Sequence, residues 1–191
     1  FHFCRVGAWE VVYAFLEAGI DQTSPAFGQS DILAESLRGQ FFSVDVIRNL
    51  VEREVFIASD TKGTSSIEFL LISGSVKTLD MLLSVIQPIT DFPEKLWDRV
   101  VWLWEFKPED ALAAAEALVA AGYEIDSPGD FPLHAAFAYE VPEALTWFLE
   151  NGADPNRLDG NGFPPERSGF SRRLYNQNIG DLMVEELQSY R

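Results

Sequence analysis

Two histidines and one cysteine are all that this 191-residue chain holds of imidazole and thiol metal ligands. A zinc site needs three or four such ligands at set spacings, and His2, His134 and Cys4 write no such motif. A lone cysteine has no intrachain disulfide partner, which points to a reducing, cytoplasmic setting. No run of about 20 apolar residues exists, so the chain is expected not to span a membrane. Also missing are the G-x-S-x-G elbow, the G-x-x-x-x-G-K-[ST] phosphate loop and H-E-x-x-H. Gly160-Asn161-Gly162 has no third glycine in register and reads as a turn, not a dinucleotide loop. Acidic pairs such as Glu109-Asp110 and Glu185-Glu186 are uninformative in so acidic a chain and read as solvated helix faces. No catalytic residue, metal or cofactor is therefore expected, and the chain is read as a non-enzyme.

Basic residues are scarce too. Fourteen Lys and Arg stand against 30 Asp and Glu, for a net charge of −16. Residues 157–191 hold five arginines and five acids, so the excess, 25 acids against 9 bases, lies in residues 1–156. Direct nucleic-acid binding is disfavoured, because it needs a basic surface. The charge serves solubility on the bland reading. On the sharper one it complements a basic protein partner, raising the association rate and excluding wrong partners.

What is present in quantity is apolar surface: 47% of residues are apolar and 13% aromatic, which argues for a folded chain. The most informative stretch is 129–156, GDFPLHAAFAYEVPEALTWFLENGADPN. Pro132 suits the first turn of a helix, where its missing N–H is no loss, and Leu133, Ala136 and Phe137 follow at helical spacing. A second helix is expected from Pro142 to Asn151, with Ala144, Leu145, Phe148 and Leu149 as its apolar stripe and Gly152 as its left-handed C-terminal residue. Two short antiparallel helices cannot bury their own apolar faces, so the unit needs neighbours.

Gly129, Pro132, Leu133, His134, Ala136, Leu149, Gly152, Ala153, Asp154 and Asn156 match the ankyrin pattern in register, and the stretch resembles one ankyrin repeat. Gly63, Ile67 and Gly74 fall on the same pattern 66 residues earlier, two periods of about 33. Between them, Trp97–Phe106 and Pro108–Ala121 supply a repeat in which Leu96 replaces the turn glycine. Toward the N-terminus, 9–21 resembles a second helix and its exit turn, with 1–6 the remains of a first helix. A further pair is expected at 31–38 and 44–54, with Ser30 and Ser43 as N-caps. Asp181–Tyr190 is expected as a closing helix with Leu182, Met183 and Leu187 inward. The resemblance thus implies an all-α ankyrin-repeat solenoid forming one domain over 1–191. Its repeats fall near 1–22, 23–58, 59–90, 91–125 and 126–158, with a C-terminal cap at 159–191.

The resemblance also implies roles. His134 lies where the family's imidazole joins neighbouring turns by hydrogen bonds, although Phe131 occupies the usual threonine position. Cys4 lies at a small-residue position of the first helix and reads as a buried thiol. The concave face of such solenoids is implied to present Thr61, Lys62, Thr64 and Ile72, then Glu94, Lys95, Trp97, Glu105 and Phe106, then Asp130, Ala138 and Tyr139, and finally Asn161 and Phe163. Trp97, Phe106 and Tyr139 would be its exposed aromatic anchors, whereas Trp9, Phe69, Trp102 and Trp147 would pack inside. Three functions are consistent with this picture: an acidic, monomeric inhibitor or immunity-type protein that blocks a protein partner with a basic surface, a DNA mimic, or an adaptor module of a longer chain.

Overall fold

Helices account for every regular element among the described residues, which are 8–19, 43–52, 66–73, 75–85, 95–168 and 177–191 of a computed structural model. The chain divides into two units, Phe1–Thr90 and Asp91–Arg191.

The first unit contains α1 (Trp9–Glu17), α2 (Val44–Glu52), α3 (Ser66–Ser73) and α4 (Val76–Val85). Helix α1 is followed by Gly19 at φ 73°, the left-handed stop expected of an exit turn. The Ser43 hydroxyl accepts from the Val46 amide at 3.3 Å, so Ser43 caps α2 as its position predicts. Helix α4 packs on both α2 and α3, and Ile67, Leu70, Leu71, Leu79, Leu82 and Leu83 are buried. The expected elements at 1–6 and 31–38, with Ser30 and Cys4, lie outside the described residues, as do Gly63 and Gly74.

The second unit runs α5 (Leu96–Phe106), α6 (Pro108–Ala120), α7 (Pro132–Tyr139), α8 (Pro142–Glu150), a 3-10 turn (Pro165–Arg167) and α9 (Gln177–Ser189). A proline opens α6, α7 and α8, where no amide is needed. Helices α6 and α8 end alike: Gly122 and Gly152 both take φ 93°, and the next amides, Tyr123 and Ala153, donate back to Leu118 and Phe148 carbonyls at 2.9 and 3.0 Å. That six-to-one bond satisfies a carbonyl that the helix end would leave free. Helix α5 packs on α6 and α7, α7 on α8 and the 3-10 turn, and α8 on α9. Helices α5 and α7 and the 3-10 turn therefore form one row, backed by α6, α8 and α9.

The core of this unit is aromatic. Trp97 meets Phe148 edge-on at 5.1 Å between ring centroids and lies 5.2 Å from Tyr123 and 6.2 Å from Trp147, which also reaches Trp104 at 5.9 Å. Rings at these distances and tilts add attraction beyond the area they bury. Ala111, Ala114 and Ala115 of α6 are fully buried, and their small size lets that helix approach the bulky face of α5 closely. In α9, Met183 and Leu187 are buried as expected, but Leu182 is 63% exposed. The Met183 and Leu187 stripe uses the inward arc, so the adjacent Leu182 turns to solvent.

Candidate partner-binding face

The loops at 121–131 and 151–164 are tied to each other and to α5 by side chains that bridge 28 to 33 residues of sequence. Asp126 accepts from the Asp154 amide at 2.8 Å and pairs with the Arg157 guanidinium at 3.0 Å, while Arg157 also donates to the Ser127 carbonyl at 2.8 Å. The guanidinium lies 5.0 Å over the Phe131 ring. His134 donates from Nε2 to the Phe163 carbonyl at 2.9 Å; because a carbonyl only accepts, that nitrogen carries the proton. Phe131 sets its ring edge-on to His134 at 5.4 Å.

Asp130 is the hub on the other side. One carboxylate oxygen accepts from the Trp97 amide and the Tyr123 hydroxyl, each at 2.8 Å, and the other from the Phe131 amide at 3.1 Å. It thereby occupies one of the open amides in the first turn of α5 from a loop 33 residues downstream. Burial raises the Asp130 carboxyl above its ordinary range despite these donors. Burial, reinforced by the Asp130 charge, pushes the Tyr123 phenol well above its own.

The last loop is closed by Asp159. Its Oδ1 accepts from the Phe163 and Asn161 amides at 2.8 and 2.9 Å, and its backbone exchanges bonds with Phe163 and Gly162. The Phe163 amide, followed by the Asn161 amide, holds the Asp159 carboxyl below its usual value. Gly162 at φ 79° and Gly129 at φ 80° are both left-handed. Before α5, Lys95 takes φ 63°, so the left-handed residue there is Lys95 and not Leu96, which opens the helix. Glu166 pairs with Arg191 at 3.0 Å. Burial alone would raise that carboxyl, but the Arg191 hydrogen bonds and charge bring it below the usual range.

Lys95, Glu105, Phe106, Asn161 and Phe163 are exposed, Phe106 at 61% and Phe163 at 42%. Ala138 and Tyr139 are half-buried, and Ile72 is exposed on α3 of the first unit. Thr61, Lys62, Thr64 and Glu94 lie outside the described residues, with Phe69's side chain. Trp97 and Asp130 correct the expectation of a surface site. Trp97 is fully buried, its indole N–H donates to the Glu124 carbonyl at 2.9 Å, and Asp130 is 2% exposed. The irregular turn at Lys95 starts α5 at Leu96, and the Trp97 ring then points into the aromatic core. Trp9, Trp102 and Trp147 are half-buried. Sequence reasoning passed over Asp126, Arg157 and Arg167; an Asp at 126 and an Arg 31 residues later is a pairing only the folded loops reveal.

Among the described residues no group of three metal-ligating side chains converges, and no helix is long and apolar enough to cross a membrane. No protein-family model matches this sequence, and no curated protein matches it significantly. Solved structures do match. A chain of the complex of a predatory endopeptidase from Bdellovibrio bacteriovorus with an immunity protein aligns over 95% of this chain and 94% of its own. The TM-score is 0.64 at 15% sequence identity, a likeness of fold.

Proposed function

We propose that this chain is a non-enzymatic, ankyrin-type solenoid that binds and blocks another protein, in the manner of an immunity protein. The observation that carries the reading is the row of loops at 121–131 and 151–164, cross-tied by Asp126, Asp130, His134 and Arg157. Loops held this way lose little conformational freedom on binding, which lowers the cost of association. Phe163 in the second of these loops and Phe106 at the end of α5 are exposed aromatics of the kind that anchor interfaces. A net charge of −16 suits a partner with a basic surface. The fold likeness to a chain from an endopeptidase and immunity-protein complex agrees with an inhibitor of this kind. Asp126, Asp130 and Asp159 are spent on holding loops, so in this region they do not stand as a row of phosphate mimics.

The test is a pull-down from the native source with wild-type protein and a Phe106→Ala, Asn161→Ala, Phe163→Ala variant, circular dichroism confirming that both fold. The expected result is one basic partner retained by wild type and lost by the variant, with that partner's activity suppressed by the wild type alone. Equal retention by both proteins would discard this face as the binding site.

A further inference from the structure

Two arginines of the second unit lie over phenylalanine rings, and the difference between them is informative. Arg157 stacks on Phe131 and completes its contacts with the Asp126 carboxylate and the Ser127 carbonyl. Arg167 stacks on Phe163 more closely, at 4.5 Å, yet meets no carboxylate among the described residues. This happens in a chain where acids outnumber bases 30 to 14. Beside that pair lies an open hollow of about 350 Å3 lined by Asp159, Phe163, Arg167 and Ser168. Its volume is that of a small binding pocket. The stacking ring pre-orients the guanidinium, and a planar fork so held favours a carboxylate over a point anion.

We propose that Phe163 and Arg167 form a receptor for an acidic side chain, flanked by apolar residues, on a protein segment bound across the hollow; this rests on the protein-binding reading above. The occupant is a side chain and not a chain end, because the loop's three successive amides that could cradle a terminal carboxylate are already taken. Those of Asn161, Gly162 and Phe163 are spent on Asp159. Arg157 with Asp126 and Phe131 is the internal precedent for the filled arrangement. The hollow itself carries one guanidinium, Arg167, and one carboxylate, Asp159, whose Oδ1 already accepts from the Asn161 and Phe163 amides. Ser168, also on the lining, offers a hydroxyl to the second oxygen of the incoming carboxylate.

The experiment is an NMR titration of the full chain, observing the Arg167 side-chain N–H and the Phe163 and Ser168 amides. The probes are acetyl-Leu-Glu-Leu-amide, acetyl-Leu-Gln-Leu-amide, and acetyl-Leu-Gly-Leu with a free terminal carboxylate. The Glu peptide is expected to bind at least about fivefold more tightly than the Gln peptide, as a charge-assisted bond does over a neutral one. Arg167→Gln should abolish the preference, and Arg167→Lys should keep part of it. Arg167 is exposed and unpaired among the described residues, so neither variant should disturb the circular dichroism spectrum. Equal binding of the Glu and Gln peptides, no response at these residues, or tighter binding of the free-carboxylate peptide would each overturn the proposal. A negative titration combined with partner loss in the Phe106→Ala, Asn161→Ala, Phe163→Ala variant removes the receptor and leaves the protein-binding reading standing. A Glu preference without any captured partner does the reverse.

Discussion

Removing the Asp130 carboxylate should unlock the second unit. In Asp130→Ala, the Trp97 amide and the Tyr123 hydroxyl lose an acceptor at 2.8 Å, and the half-buried Phe131 amide loses one at 3.1 Å. A hydrogen bond to a charged acceptor contributes about 1.5–3 kcal/mol, and a buried donor left unpaired costs about 1–3 kcal/mol. Taken at the low end for the two buried bonds, with less for the third, the loss is about 4 kcal/mol. Against it stands relief from burying a carboxylate that has no cation beside it, which the raised Asp130 titration signals. A net destabilisation of about 2–3 kcal/mol is expected, large against the 5–15 kcal/mol typical of whole domains. Four of the five tryptophans, Trp97, Trp102, Trp104 and Trp147, belong to the second unit, so urea unfolding followed by fluorescence reads mainly that unit. With a urea slope of about 1–3 kcal/mol per molar, the midpoint should fall by roughly 1–2 M at unchanged slope. Tyr123→Phe in a double-mutant cycle should cost less on the Asp130→Ala background than alone. A midpoint shift under about 0.3 M, or strict additivity in the cycle, would refute the hub role given to Asp130.

Trp97→Ala should cost about 3–5 kcal/mol by the same unfolding assay, whereas Phe106→Ala should stay within about 0.5 kcal/mol, and the reverse order would undo the burial assignment. Glu140, between α7 and α8, is left-handed at φ 56° and buries one carboxylate oxygen without a hydrogen-bond partner. Glu140→Gly is therefore expected to stabilise the protein by about 1 kcal/mol, and a lowered thermal midpoint would mean that the side chain makes contacts worth more than that strain. The two loop aspartates should respond to acid with opposite signs, each judged by comparing wild type with its Asn variant. The raised Asp130 carboxyl binds more protons folded than unfolded, so wild type should gain stability over Asp130→Asn as pH falls through the raised value toward 3.8. Asp159, held low, should show a wild-type advantage over Asp159→Asn that is full above 3.8 and fades below it; matching slopes for the two residues would contradict the assignment.

The helices were legible because their causes are local. Pro132 and Pro142 open α7 and α8, Gly152 closes α8, and an apolar stripe runs between, all within one window of sequence. The same logic places α2 after Ser43 and α6 after Lys107. The site was less legible, because exposure is a property of packing. Trp97 and Phe106 both belong to α5 and are both aromatic, yet one is wholly buried and the other 61% exposed. Periodicity could not separate them, since the phase of α5 depends on a left-handed Lys95, one residue before Leu96, which the sequence pattern aligns with the turn glycine.

Charge was harder still. Counting acids predicts a negative surface, but Asp126, Asp130 and Asp159 turn their carboxylates to amides, a phenol and a guanidinium, so they act as fasteners of loops. Their partners lie 28 to 33 residues away for the inter-loop bonds. A shorter window of sequence read alone therefore holds half of each interaction. Arg167 inverts the case. Its neighbour in kind, Arg157, finds its carboxylate within the chain, and Arg167 meets none among the described residues. In a sequence so rich in acid, a guanidinium held against an exposed ring with no carboxylate among the described residues is a reason to look for its partner on another molecule.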